Sequence, residues 1–167
     1  LNIFEKVVKG LEKRNKYLCR HLANSAGTLL DKGLHFDMVR VGLSLYGYFP
    51  INNDNSNLDL KPALKVKARI TLIRDVMKGT GVGYGHCFKT QRDTKLAVAA
   101  IGYADGVGRA LSGKISASIE GVLVSQVGAI AMDQMVFDIT DKPDIKVGQV
   151  LTLLGTDGEM FISPQHW

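Results

Sequence analysis

The sequence predicts a short α/β segment followed by a mainly-β, antiparallel, barrel-like domain. Three observations carry this. Apolar residues recur at helical spacing near the N-terminus but alternate singly after about residue 60, a polar turn-rich stretch lies at the change, and short apolar runs separated by turn residues fill the remainder. With 46% hydrophobic and 22% charged residues among 167, there is enough apolar material for a core, which excludes a wholly disordered chain.

Phe4, Val7, Val8 and Leu11 recur at helical spacing among Glu5, Lys6, Lys9, Glu12 and Lys13, predicting an amphipathic helix over 1–15. Tyr17 to Leu22 reads as a strand, Ser25 as the N-cap of a brief helix through Leu30, and Gly33 as its stop. Met38 to Tyr46 is almost continuously apolar, the pattern of a strand buried on both faces of a parallel sheet. Residues 1–50 are therefore expected to form the α/β part, with 51–61 as linker and 62–167 as the β-strand domain.

From Pro62 onward Leu64, Val66, Ala68, Ile70 and Leu72 would share one face, with Lys65, Lys67, Arg69 and Thr71 on the other. Further strands are expected at 96–101, 115–120, 122–126, 135–139 and 150–154. Asp105-Gly106, Ser112-Gly113, Gly121, Lys142-Pro143 and Asp157-Gly158 mark the turns between or after them.

The net charge of +5 is spread along the chain and reads as a solvated surface, so no nucleic-acid partner is expected. No apolar run reaches the roughly 18–20 residues of a membrane-spanning helix, and no membrane partner is expected. Two distant cysteines, Cys19 and Cys87, suggest reduced thiols in a cytoplasm. Leu1 in place of an initiator Met, and an end at Trp167, suggest a fragment of a longer protein.

Gly79-Thr80-Gly81-Val82-Gly83-Tyr84-Gly85 is neither a dinucleotide fingerprint nor a phosphate loop. Its glycines permit close backbone approach, leaving Tyr84 either to project from a loop or to pack as an ordinary turn residue. The pairs Cys19/His21 and His86/Cys87 lack zinc-site spacing, so no metal is expected. Arg40 lies within the apolar run 38–46, where a guanidinium needs a carboxylate, backbone carbonyls or a ligand as partner.

Five stretches, in order, resemble the alanine racemase family of pyridoxal-phosphate enzymes. They are His21–Ala26; Val39-Arg40-Val41-Gly42-Leu43 with Tyr46-Gly47; Val82-Gly83-Tyr84-Gly85; Ile101–Gly106; and Met132-Asp133-Gln134. The resemblance implies that 1–50 is the last part of a (β/α)₈ barrel, which alone takes about 250 residues, followed by the family's β domain. It implies a homodimer with its active site shared across the interface, acting in the bacterial cytoplasm to supply D-alanine for peptidoglycan.

The resemblance makes Tyr84 one of two catalytic bases. An unperturbed phenol titrates near about 10, so such a base needs help from its surroundings. Arg40 resembles the arginine facing the cofactor's pyridine nitrogen, with His21 beside it. Ser25, Gly42 and Leu43 resemble the cofactor-phosphate contacts, Met132 a backbone contact to the substrate carboxylate, and Tyr103, Arg109 and Asp133 the entry channel. No segment resembles the motif of the Schiff-base lysine, the second base, so this chain alone is expected to be inactive. A racemase of serine or another small amino acid is an alternative, and a non-catalytic β module for dimerisation or binding is one of a different class.

Overall fold

The computed structural model describes residues 1–14, 17–50 and 58–167. They separate into two compact units, Leu1–Ala63 and Leu64–Trp167. The expected linker lies mostly at 51–57, outside the described residues.

In the first unit, α1 (Asn2–Glu12) follows the expected amphipathic spacing and buries Val8. Its Phe4 ring packs on Phe36 at 5.0 Å. Arg20 lies over the other aromatic partner in this corner, 5.8 Å from the Phe36 centroid. Arg20 also grips Asp37 through Nε (2.8 Å), Nη2 (2.9 Å) and its backbone amide (2.9 Å). That clamp corrects the expected strand over 17–22. The Arg20 amide goes to a side chain instead of a strand partner, and β1 runs from His21 to Asn24.

β1 pairs in parallel with β2 (Met38–Arg40), His21 opposite Met38 and Asn24 opposite Arg40. The strand expected over 38–46 therefore stops early. Gly42 breaks it, and Leu43–Tyr46 form a 3₁₀ turn closed by Gly47 at φ +83°. Nor is the run buried on both faces, since Met38, Leu43 and Leu45 are all exposed. A ladder of two short strands offers too little surface to cover them.

α2 (Ser25–Leu30) begins directly after β1. Asn24, not Ser25, is its N-cap: Asn24 is extended and its side-chain oxygen accepts from the Gly27 amide at 3.0 Å. Ser25 is the first helical residue, with its hydroxyl available for another partner.

The second unit is antiparallel throughout. Its strands are β3 (Val66–Val76), β4 (Gly81–Val82), β5 (Phe88–Lys89), β6 (Thr94–Ala99), β7 (Ser116–Ile119), β8 (Val122–Val127), β9 (Met135–Asp138), β10 (Val150–Asp157) and β11 (Met160–Ile162). The main sheet has the order β11-β10-β3-β6-β9-β8-β7, and β7 returns to β10 through the pair Thr152–Ser118. That return closes six strands into a barrel, with β11 extending β10 as a hairpin. The expected fold class is borne out.

Ile70, Ala97, Ile119, Met135, Phe137 and Leu153 fill the interior and are almost completely buried. The alternation expected along β3 holds for Ala68 and Ile70 but fails at Leu72, which is 48% exposed. A register shift against β6 between Ile70 and Leu72 turns the following side chains to the other face. Among the described residues no helix is long and apolar enough to cross a membrane.

Candidate active site

In the first unit the candidate residues gather where β1 enters α2 and β2 leaves toward the 3₁₀ turn. Ser25 is buried. Its Oγ accepts from the Gly42 amide at 2.9 Å and, at 3.4 Å, from Ser44. This commits the oxygen and leaves the hydroxyl proton free to be donated. The Gly42 amide is thereby engaged, whereas the Leu43 amide, first in the 3₁₀ turn, has no acceptor among the described residues. Two donors, Ser25 Oγ–H and Leu43 N–H, thus come from separate elements that meet here, Ser25 Oγ being bonded by the residues on either side of Leu43, an arrangement suited to an anion.

Arg40 at the end of β2 is exposed, against the expectation of a guanidinium embedded in apolar surroundings. Its one hydrogen bond runs from Nη2 to the Leu22 carbonyl at 3.4 Å, and the remaining guanidinium donors are uncommitted among the described residues. His21 is exposed one residue before Leu22, and no hydrogen bond among the described residues joins it to Arg40. The nearby Asp37 carboxyl is held well below the usual carboxylate range, chiefly by the hydrogen bond from the Arg20 guanidinium, and Arg20 is raised in return.

In the second unit Tyr84 sits at the tip of the β4–β5 hairpin, in a tight turn over Tyr84–His86. Gly83 and Gly85 both have φ +69°, and His86 has φ +48°. Three left-handed positions within four residues bend the chain so sharply that the phenol stands out from it, 70% exposed. The Tyr84 hydroxyl has no partner among the described residues. Its carbonyl accepts from the Cys87 thiol at 3.6 Å.

The loop after β8 connects the remaining candidates. Gly128 turns at φ +75°, and a Cβ there would lie 2.8 Å from the Val82 carbonyl oxygen. A Cβ on Gly83 would lie 3.1 Å from the Ala129 amide, so the base of the Tyr84 hairpin rests directly on this loop. Farther along, the Ala131 carbonyl accepts from the Tyr103 amide (3.0 Å) and the Met132 carbonyl from the Ala104 amide (2.9 Å). Arg109 is reached through Ser112, whose hydroxyl donates to the Arg109 carbonyl (2.6 Å) and accepts from the Ile130 amide (3.0 Å).

Loop 128–134 thus carries Met132 and Asp133, both exposed, and supports the segments holding Tyr84, Tyr103 and Arg109. The structure brings these five onto one support within the unit. Reading side-chain chemistry along the sequence missed the supporting residues, Ala129, Ala131 and Ser112, because two of them act through backbone groups alone. The glycines at 83, 102 and 128 were the available signal, since each marks a close backbone approach.

Comparison with known proteins places the chain in one family. Residues 1–50 match the family described as alanine racemase, N-terminal domain, and residues 63–167 match alanine racemase, C-terminal domain. The chain is 59% identical over 164 residues to an alanine racemase of Prochlorococcus marinus, covering 98% of this chain and 42% of that protein. It superposes on the alanine racemase of the D-cycloserine-producing Streptomyces lavendulae with a TM-score of 0.89 at 34% identity, covering 99% of this chain and 44% of that one. The alanine racemase of Bartonella henselae with covalently bound pyridoxal phosphate matches with a TM-score of 0.80 at 34% identity, covering 91% and 42%. The chain therefore spans less than half the length of these relatives. It belongs to the alanine racemase family.

Proposed function

We propose that this chain is the C-terminal portion of a pyridoxal-phosphate-dependent alanine racemase, an isomerase in which Tyr84 is one of two bases acting on opposite faces of the amino acid. The observation that carries the reading is the Tyr84 hydroxyl, without a partner among the described residues and raised on a hairpin that rests on the same loop as Met132.

The residues present fit the cofactor. Ser25 Oγ–H and Leu43 N–H, neither of which donates to an acceptor among the described residues, would serve its phosphate, and Gly42 contributes by fixing the Ser25 oxygen. Arg40 carries donors and no acceptor, so it would keep a facing pyridine nitrogen unprotonated, with His21 alongside. When bound, the cofactor supplies the electron sink that acidifies the substrate α-carbon proton. Tyr84 takes or returns that proton on one face, and the Met132 backbone orients the substrate carboxylate. Tyr103, Arg109 and Asp133 line the approach and set what enters.

The same reading makes residues 1–50 the end of a (β/α)₈ barrel and 62–167 the β domain, places the second base, a lysine, on a segment outside this chain, and makes the working enzyme a homodimer with a shared site. It assigns the enzyme to the bacterial cytoplasm, supplying D-alanine for peptidoglycan. The test is a chimaera in which residues 1–167 replace the matching segment of the Prochlorococcus marinus enzyme. It should bind pyridoxal phosphate and racemise alanine in preference to serine. A soluble, cofactor-loaded dimer without racemase activity would overturn the proposal, and preference for serine would overturn the substrate assignment.

A further inference from the structure

We infer that Gln126 is a positioning residue for this site, setting the course of the loop that carries Met132 and supports the Tyr84 hairpin; the inference rests on the racemase reading above. Along β8, Leu123 and Ser125 face outward while Val124 and Gln126 face inward, so a carboxamide occupies a core position and is only 2% exposed. An amide so buried is costly unless its polar atoms are bonded. Here Nε2 donates to the Val127 carbonyl (2.9 Å) and to the Gly128 carbonyl (3.0 Å), while Oε1 accepts from the Gly113 amide (2.6 Å). Both amide hydrogens are committed.

The location of these bonds separates positioning from general core stability. The two accepting carbonyls are consecutive and stand where β8 ends and the chain turns at Gly128. The next residue, Ala129, lies against Gly83. Ala131 and Met132 follow and hold the Tyr103 turn. On its other side Gln126 grips Gly113, one residue beyond Ser112, which itself bonds Arg109 and Ile130. One side chain therefore fixes the angle at which the loop leaves the barrel and ties it to the neighbouring turn. An apolar residue of the same size could fill the space but could do neither.

The test uses the chimaera with Gln126→Glu. An ionised carboxylate still accepts from Gly113 but cannot donate to the two loop carbonyls. The expected result is a KM for alanine raised about tenfold with kcat changed less than about threefold. The defect relative to the unsubstituted chimaera should shrink as pH falls, because a protonated carboxyl regains a donor. Amides of 128–132 should exchange with solvent faster while those of β3 and β6 stay protected. An unchanged KM and unchanged loop exchange in a folded variant would overturn the inference. So would a pH-independent defect with faster exchange across the whole barrel, which is the signature of stability alone. If Gln126→Glu does not accumulate, Gln126→Asn, which withdraws the amide by one methylene, should give the same KM rise and loop exchange. Absence of activity in the unsubstituted chimaera would instead defeat the racemase reading, and the exchange measurement would still decide whether Gln126 sets the loop.

Discussion

Gly102 lies in backbone contact with Met132: a Cβ at residue 102 would stand 2.5 Å from the Met132 carbonyl oxygen. The Gly102 amide is held by Asp105 Oδ2 at 2.9 Å, so the segment has little freedom to retreat. Gly102→Ala should therefore destabilise the second unit by about 1–3 kcal/mol, the usual cost of overpacking. Gly10→Ala in α1 meets nothing within 4 Å and should be neutral or slightly stabilising. Urea unfolding of the two variants checks the contrast, and equal midpoints would contradict the close contact.

Tyr84→Phe should remove one half of a two-base exchange. In the chimaera in D₂O, deuterium should still enter the α-position of D-alanine through the lysine face, while exchange of L-alanine falls by at least about a hundredfold. Proton NMR of the two enantiomers measures this directly. Equal losses for both would show that Tyr84 does not act on a single face.

Ser25→Ala removes both the free hydroxyl proton and the acceptor for Gly42. A hydrogen bond to a charged group contributes about 1.5–3 kcal/mol, so pyridoxal phosphate should dissociate from the chimaera roughly ten- to a hundredfold more readily. Ser25→Thr, which restores the hydroxyl, should recover part of the affinity. Equilibrium dialysis decides, and undiminished retention in Ser25→Ala would remove Ser25 from the phosphate site.

Asp157 supplies a pH dependence. Its Oδ2 accepts from the Ser118 hydroxyl (2.6 Å) and the Gly121 amide (3.0 Å), joining β10, β7 and the β7–β8 turn. These bonds, the serine's first, lower its carboxyl below the usual value. A depressed folded-state value means the stabilisation is present above the unfolded value of about 4 and is lost as pH falls through the lower folded one. Asp157→Asn should thus cost about 1–2 kcal/mol at pH 7, with the difference from the parent shrinking below about pH 4. Urea midpoints across pH 2.5–7 (roughly the window set by these values) test it, and a constant difference would refute it.

The change from helical to alternating patterning was legible because α1 and the inner strands follow simple periods. Thr94–Ala99 and Val122–Val127 fall close to where alternation and turn residues placed them. The rest depended on geometry that composition does not carry. The bulge after Ile70 shows in the sequence only as the adjacent apolar pair Leu72-Ile73, which does not say which of the two turns inward. Asp157-Gly158 looked like a strand end because the return strand β11 is only three residues long. The apolar run 38–46 resembled one strand although Gly42 divides it. Among candidate site residues, Tyr84 and Arg40 stood out by chemical type. Gln126 did not, although a carboxamide at an inward position after Val124 was the signal. Loop 128–134 drew notice through Met132 and Asp133, but its supporting role was hidden because that work is done by backbone carbonyls and amides.

The two buried apolar clusters lie wholly in the second unit, between Ala68 and Leu153. Among described residues of the first unit only Val8, Ala23 and Ser25 are buried. The Tyr84 scaffold is thus cohesive through its own interior, whereas the segment bearing Ser25 and Arg40 is held by polar clasps: Arg20 with Asp37, Asn24 with Gly27, Ser25 with Gly42. Frames of that kind open locally at low free energy. A ligand that engages only the closed form stabilises it by mass action, by about 2.7 kcal/mol at a hundred times its dissociation constant. On the racemase reading, pyridoxal phosphate held at Ser25 would therefore also keep this polar-clasped segment closed, while the barrel bearing Tyr84 relies on its own interior.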